Sequence, residues 1–140
     1  MTEPQSEKPR LLVAKGTFEA MRGAERDLIR NLPALAKFFD VTMATLEASK
    51  ELKQCCRENA IPLLKPKIPW QQSNGTWSKI WNTDLRNSTK AWKGIAGLKE
   101  TLANIDAVHL VSGDGSLGLI RIVPKKTPFH LHMPVSYTHL

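Results

Sequence analysis

The sequence lacks the features of membrane-spanning, secreted and disulfide-stabilised proteins. No apolar run reaches about 18 residues, the usual minimum for a transmembrane helix, and the polar N-terminus does not resemble a signal peptide. The 2 cysteines, Cys55 and Cys56, are adjacent, so they cannot form an ordinary disulfide, and no pair of CxxC motifs supplies a zinc site. We therefore expect a cytoplasmic protein with reduced thiols.

The chain also lacks the Walker phosphate loop and the Gly-x-Ser-x-Gly elbow, which counts against P-loop NTPases and α/β-hydrolases. A hydrophobic fraction of 41% over 140 residues excludes general disorder and suits one domain with its own core. The charge is unbalanced, with 20 Lys and Arg against 13 Asp and Glu and a formal net charge of +7. This balance favours anionic partners such as phosphate, nucleic acid or an acidic membrane surface.

The hydrophobic pattern predicts alternating strands and helices. Pro33 lies within the first helical pattern and is expected to kink it or to shift its boundary, and Ser49 is expected to cap the second helix. The order of elements predicts an α/β fold, a Rossmann-like three-layer parallel sheet with helices on both faces. The predicted strands cover 10–14, 40–46, 107–111 and 128–133, and the predicted helices cover about 24–36, 50–59, 88–102 and 117–123.

Residues 62–92 interrupt this pattern and are predicted to be an insertion, with a helix over about 76–84. All 4 tryptophans lie in this segment, interleaved with lysines. These tryptophans either stack on bases or sugar rings or fix an irregular segment against the domain. The predicted organisation is a disordered polar tail over 1–9, the domain over 10–134 and a tail over 135–140.

Loops at the carboxyl ends of parallel strands are the expected ligand sites. The loop from Lys15 to Glu25 contains Gly16 and Gly23 and leads into a helix N-terminus, which favours an anion; the other interpretation is an ordinary turn and helix start. This loop lacks the GxGxxG spacing. In the loop at 112–116, Asp114 is predicted either to bind a sugar hydroxyl or to cap a helix.

Two histidines on the last predicted strand are the candidate catalytic residues. His130 and His132 alternate along the strand and so lie on one face of the sheet. They are expected either in the crevice at the strand end or packed between sheet and helices. Their spacing also suits a metal, but the sequence shows no third ligand, and His109 in mid-strand is predicted to be structural.

Several short motifs, in their order along the chain, resemble the N-terminal domain of GT-B glycosyltransferases, in particular the large retaining family 4. Residues 22–26, Arg-Gly-Ala-Glu-Arg, resemble the Gly-Gly-x-Glu-Arg of that family, and 39–42 resemble its second strand. Residues 105–109 and 126–132 resemble two later strands, the second ending in a histidine. The resemblance covers about 10–60 and 104–133, and Arg22 replaces the first glycine of the family's pair.

The resemblance implies the acceptor-side half of a retaining, metal-independent hexosyltransferase that uses a nucleotide-sugar and needs no cofactor. Gly23 would lie beside the donor diphosphate or a sugar or lipid-linked acceptor, with Glu25 just inside the helix, and Arg22 would either contact a phosphate or rigidify the loop. Gly16 and Asp114, named from their loops, complete the predicted donor-phosphate or acceptor-binding residues. His132, or less well His130, would lie near the transferred sugar. Peripheral contact with an anionic membrane at its inner face is compatible with this, whereas nucleic acid is not an expected partner.

The resemblance further implies a separate donor-binding domain that these 140 residues do not contain, so the chain alone is expected to be inactive. The final residues 135–140, Val-Ser-Tyr-Thr-His-Leu, resemble a translated sequencing adaptor, and native sequence is expected to stop near Met133 or Pro134. The alternative hypothesis is a stand-alone α/β module that binds a nucleotide or nucleic acid through its basic charge and tryptophans.

Overall fold

The computed structural model describes residues 8–16, 22–67, 84–111 and 115–132. Within these ranges strands alternate with helices, as the hydrophobic pattern predicts. The strands are β1 (Arg10–Lys15), β2 (Asp40–Thr45), β3 (Leu63–Leu64), β4 (Ala107–Val111) and β5 (Phe129–His132). The helices are α1 (Arg22–Phe38), α2 (Lys50–Glu58), α3 (Asp84–Lys93), α4 (Leu98–Ala103) and α5 (Leu117–Ile120).

All five strands form one parallel sheet in the order β3-β2-β1-β4-β5. The chain leaves β1 towards β2 and β3, then returns to place β4 and β5 on the other side of β1. The strand order therefore reverses between β1 and β4, whose carboxyl ends flank the crevice where such folds bind ligands. The predicted α/β fold with a parallel, Rossmann-like sheet is confirmed.

Alternation along the central strands builds a core on each face of the sheet. On β1, Leu11 and Val13 pack with α1 and α2, whereas Leu12 and Ala14 pack with α3, α4 and α5. Because successive side chains of a strand point to opposite faces, the buried run Leu-Leu-Val-Ala serves both cores. The result is three layers, helices on each side of the sheet. Among the described residues, none of the helices has the length and apolar character needed to cross a membrane.

Helix α1 continues through Pro33, where the sequence predicts a kink or a boundary. Proline has no N–H to offer the carbonyl four residues earlier, which here belongs to Ile29. The thiol of Cys55 on α2 donates to that oxygen at 3.6 Å. The neighbouring helix thus satisfies the acceptor that the proline leaves open.

The ends of the predicted insertion belong to regular elements. Leu63–Leu64 forms the edge strand β3, and α3 carries Trp92, which is fully buried and donates its indole N–H to the Gly115 carbonyl at 2.9 Å. For Trp92 the packing interpretation is therefore confirmed. The single helix predicted over 88–102 is two helices, because the chain turns at Gly97, whose φ of +86° favours glycine. The predicted helix at 76–84, except for its last residue, and the other three tryptophans lie outside the described residues.

Candidate functional site at the carboxyl edge of the sheet

A buried lysine lies where β1 ends. Lys15 is 1% exposed, and its Nζ donates to the carbonyl of Glu47 at 2.8 Å and to that of Gly16 at 3.2 Å. Burial lowers the pKa of this ammonium group, and the carboxylates of Glu25 and Glu47 act in the opposite direction. Lys15 therefore ties the loop after β1 to the loop after β2.

Thr45, in register with Lys15 on β2, strengthens the same connection. Its buried hydroxyl donates to the Glu47 carbonyl at 2.7 Å and accepts the Glu47 N–H at 3.1 Å. A threonine closing its own turn in this way fixes the backbone direction after the strand. The backbone of Glu47 is thus held by two buried side chains.

The first turns of α1 and α2 meet beside this connection. Ser49 caps α2, as predicted, by accepting the N–H of Leu52 at 3.1 Å, and its hydroxyl donates to the carboxylate of Glu25 on α1. A cleft of about 550 Å³ opens here, lined by Glu25, Arg26, Ile29, Ser49 and Glu51.

The polar groups of this cleft suit neutral hydroxyls better than phosphates. Two carboxylates accept hydrogen bonds strongly, Arg26 and Ser49 can donate, and Ile29 adds an apolar wall. A phosphate would meet the repulsion of Glu25 and Glu51, although helix N-termini attract anions. The arrangement fits a polyol ring with one apolar face.

A glycine pattern after β4 is the strongest signal that sequence reasoning missed. Gly113, Gly115 and Gly118 have the GxGxxG spacing, follow a strand and lead into α5. Gly115 has a φ of +81°, and a Cβ at Gly118 would lie 2.4 Å from the Ser88 hydroxyl oxygen, so the third glycine allows close packing of α5 on α3. Residues 119–140 contain no Asp or Glu, so the acidic ribose ligand of dinucleotide folds is absent there.

The histidines lie on the other side of the reversal point, on neighbouring strands. His130 is in register with His109, and their Nδ1 atoms are 2.7 Å apart. His132 is in register with Val111, the last residue of β4, so its backbone lies at the carboxyl edge. The side chain of His132 lies outside the described residues. The pairing of His109 with His130 was not predicted, although register alone would bring them together.

The other predicted site residues fall into two groups. Gly16 and Glu25 lie in the polar cluster at the ends of β1 and β2, where Gly16 accepts from Lys15. Arg22 and Gly23 begin α1, but their side-chain surroundings, like Asp114 as a whole, lie outside the described residues. Lys15, Thr45 and Ser49 join the cluster without having been proposed as site residues. The only sequence signal for Lys15 was a charge directly after an apolar strand.

Comparison with known proteins gives a likeness in architecture. No protein-family model and no curated protein matches the chain. Among solved structures, the C-terminal domain of a hydrogenase from Pyrococcus furiosus superposes with a TM-score of 0.56 and 17% sequence identity, covering 94% of this chain and 96% of that one. The likeness is one of fold. It supports the Rossmann-like architecture and leaves the activity to be argued from the residues.

Proposed function

We propose that this domain is the acceptor-side half of a retaining glycosyltransferase, which moves a sugar from a nucleotide-sugar to an acceptor hydroxyl. The observation that carries the proposal is the cleft of Glu25, Arg26, Ser49 and Glu51 at the carboxyl edge. Its hydrogen-bonding groups suit a polyol, and it lies in the segment whose sequence resembles such enzymes.

In this proposal the polar cluster orients the acceptor. The carboxylate of Glu25 exchanges its Ser49 partner for an acceptor hydroxyl, while Lys15 and Thr45 keep the two loops at a fixed separation. In the transfer itself the bond from the anomeric carbon to the diphosphate breaks. A bond from that carbon to the acceptor oxygen forms, and the acceptor proton passes to an oxygen of the departing diphosphate. Helix N-termini and basic groups stabilise the departing diphosphate, and His132 at the end of β5 lies near the transferred sugar.

The test of this proposal measures the binding of an acceptor and not sugar transfer, because transfer also requires a donor-binding domain. The ¹⁵N-labelled chain is titrated with methyl hexosides, and separately with UDP-glucose and GDP-mannose, while amide NMR shifts are recorded. Hexosides are expected to move the amides of Glu25, Arg26, Ser49 and Glu51. Glu25→Gln should weaken hexoside binding about tenfold, because a hydrogen bond to a charged group is lost.

Glu58→Gln is the matched control, since Glu58 is an exposed carboxylate at the far end of α2. This variant should bind hexosides like the original chain. Hexosides that leave the cleft amides unmoved, or that bind equally well after Glu25→Gln, would contradict the proposal.

The glycine pattern favours a second candidate, a nucleotide-binding module. Gly113, Gly115 and Gly118 follow β4 at the point where the strand order reverses, the expected place for a phosphate-binding loop. In the same titrations, shifts at Gly115 and Ser116 with UDP-glucose or GDP-mannose, and no shifts with hexosides, would support this candidate. Binding to single-stranded DNA that weakens steeply with salt would instead support the nucleic-acid form of the alternative hypothesis.

A further inference from the structure

Two imidazole rings meet across the β4–β5 pair. His109 and His130 are directly in register, their ring centroids are 4.7 Å apart, and the ring planes differ by 22°. The two Nδ1 atoms are 2.7 Å apart. A hydrogen bond between them needs a proton on one nitrogen and a lone pair on the other.

The same two nitrogens are close to the spacing of metal ligands. Metal–nitrogen bonds of about 2.0–2.1 Å, at angles between about 90° and 110°, place two ligand nitrogens about 2.9–3.4 Å apart. The observed 2.7 Å needs to widen by only a few tenths of an ångström. His130 is exposed on β5, the last strand in the order of the sheet, so its ring has room to turn the Nδ1 lone pair towards an ion shared with His109.

The pair also lies where a bound ion can be reached from solvent. Side chains of α1 and α2 form the core on this face with Leu11, Val13 and Val111, whereas His109 is half-buried and His130 exposed. The neighbours of His130 on its own strand, Phe129 and Leu131, alternate to the opposite face. The coordination positions of a bound ion that the two histidines do not fill therefore face solvent.

We propose that His109 and His130 form a two-histidine site for a divalent first-row transition metal ion of the Zn²⁺, Ni²⁺ and Cu²⁺ class. Neutral imidazole is a preferred ligand for these ions. Both rings coordinate through Nδ1 and carry their proton on Nε2, so the ion takes the place of the shared hydrogen bond. The described residues contain no group of three or more metal-ligating side chains, and water supplies the other ligands. The ion fastens the edge strand β5 to β4.

The test of the site is a calorimetric titration with Ni²⁺. It uses the full chain without a histidine tag. His109→Asn and His130→Asn should each weaken Ni²⁺ binding by about tenfold or more, because one of two protein ligands is lost. His139→Asn is the control and should bind like the original chain. The thiols do not compete, because Cys55 and Cys56 are buried and burial raises the pKa of both.

Amide NMR spectra establish that each variant is folded, and His130→Asn changes only an exposed side chain. In the original chain, paramagnetic Ni²⁺ should broaden the imidazole signals of His109 and His130. Unchanged Ni²⁺ affinity in His109→Asn overturns the proposal. A loss of affinity confined to His130→Asn and His132→Asn also overturns it, because the ion would then bind along β5 alone.

Discussion

The ammonium group of Lys15 connects two loops that define the candidate site. Replacing it with methionine keeps the volume but leaves the carbonyls of Gly16 and Glu47 without this donor. We expect Lys15→Met to lower the free energy of unfolding by about 1.5–3 kcal/mol, the usual contribution of a hydrogen bond made by a charged group, because the Glu47 carbonyl keeps only the Thr45 hydroxyl as a side-chain donor. Urea unfolding measures this.

Lys53→Met is the matched control, because Lys53 is exposed on α2. It should change the unfolding free energy by less than about 0.5 kcal/mol. If Lys15→Met were as stable as the original chain, the free-energy cost of burying the ammonium group would equal the stabilisation from its hydrogen bonds. The two loops would then be held by Thr45 and the backbone alone.

The thiol of Cys56 gives the protein a predictable response to alkaline pH. Burial, with a smaller contribution from Cys55, raises its pKa from 9.0 to about 11. Between these values the folded chain holds a proton that the unfolded chain has lost, so stability falls as the pH rises. This contribution is complete below pH 9.0 and is lost as the pH passes about 11.

We therefore expect Cys56→Ala to lose less stability than the original chain over this pH range, by up to about 3 kcal/mol, since each tenfold difference in proton affinity corresponds to about 1.4 kcal/mol. Urea unfolding at a series of pH values, with reductant present, gives the two curves. The comparison concerns their slopes, because the alanine also leaves a cavity that lowers stability at every pH. Parallel curves would mean that the Cys56 thiol ionises alike in both states.

Helices α3 and α5 can pack closely because residue 118 on α5 is a glycine. A Cβ at Gly118 would lie 2.4 Å from the Ser88 hydroxyl oxygen and 2.6 Å from the Thr89 nitrogen, and backbone cannot move aside as a side chain can. Gly118→Ala should therefore destabilise the protein by about 1–3 kcal/mol or more, as overpacking does.

Gly94→Ala is the matched control for this substitution. A Cβ at Gly94 would have its nearest neighbour at 3.4 Å, the Lys90 carbonyl oxygen, so little has to move. Thermal unfolding should show a large fall in Tm for Gly118→Ala and a small change for Gly94→Ala. Equal effects would show that α5 can shift away from α3 without loss.

The elements that the sequence predicted well are those with a long apolar pattern. The run from Leu11 to Ala14 and the spacing of Leu28 and Leu32 identify β1 and α1, because burial imposes the pattern directly. Strand β3 was missed, since Leu63–Leu64 is too short to show a period. The acceptor that Pro33 leaves open in α1 is met by a thiol of another helix, which a local pattern cannot contain.

The site was harder to predict than the fold for the same reason. Glu25 and Ser49 are 24 positions apart, and only the parallel pairing of β1 with β2 brings their helices together. His109 and His130 likewise meet only through the register of β4 and β5. The glycine pattern after β4 was also missed, although its spacing stands in the sequence itself.

The two cores on opposite faces of the sheet share the same strands. Leu11 and Val13 belong to the core beneath α1 and α2, and Leu12 and Ala14 to the core beneath α3 to α5. Because each central strand contributes side chains to both cores, a strand that detaches from the sheet disrupts both cores at once. We therefore expect the described domain to unfold in one cooperative transition, as small domains usually do.

Probes on opposite faces test this expectation. The thiols of Cys55 and Cys56 report on the α2 face, and the indole N–H of Trp92, bonded to Gly115, reports on the α3 face. Thiol labelling and the NMR signal of that indole should give the same urea midpoint. Gly118→Ala should lower both midpoints equally, although it alters only the α3 face. Separate midpoints, or a shift of the indole midpoint alone, would show that the helices on one face detach before the sheet itself unfolds.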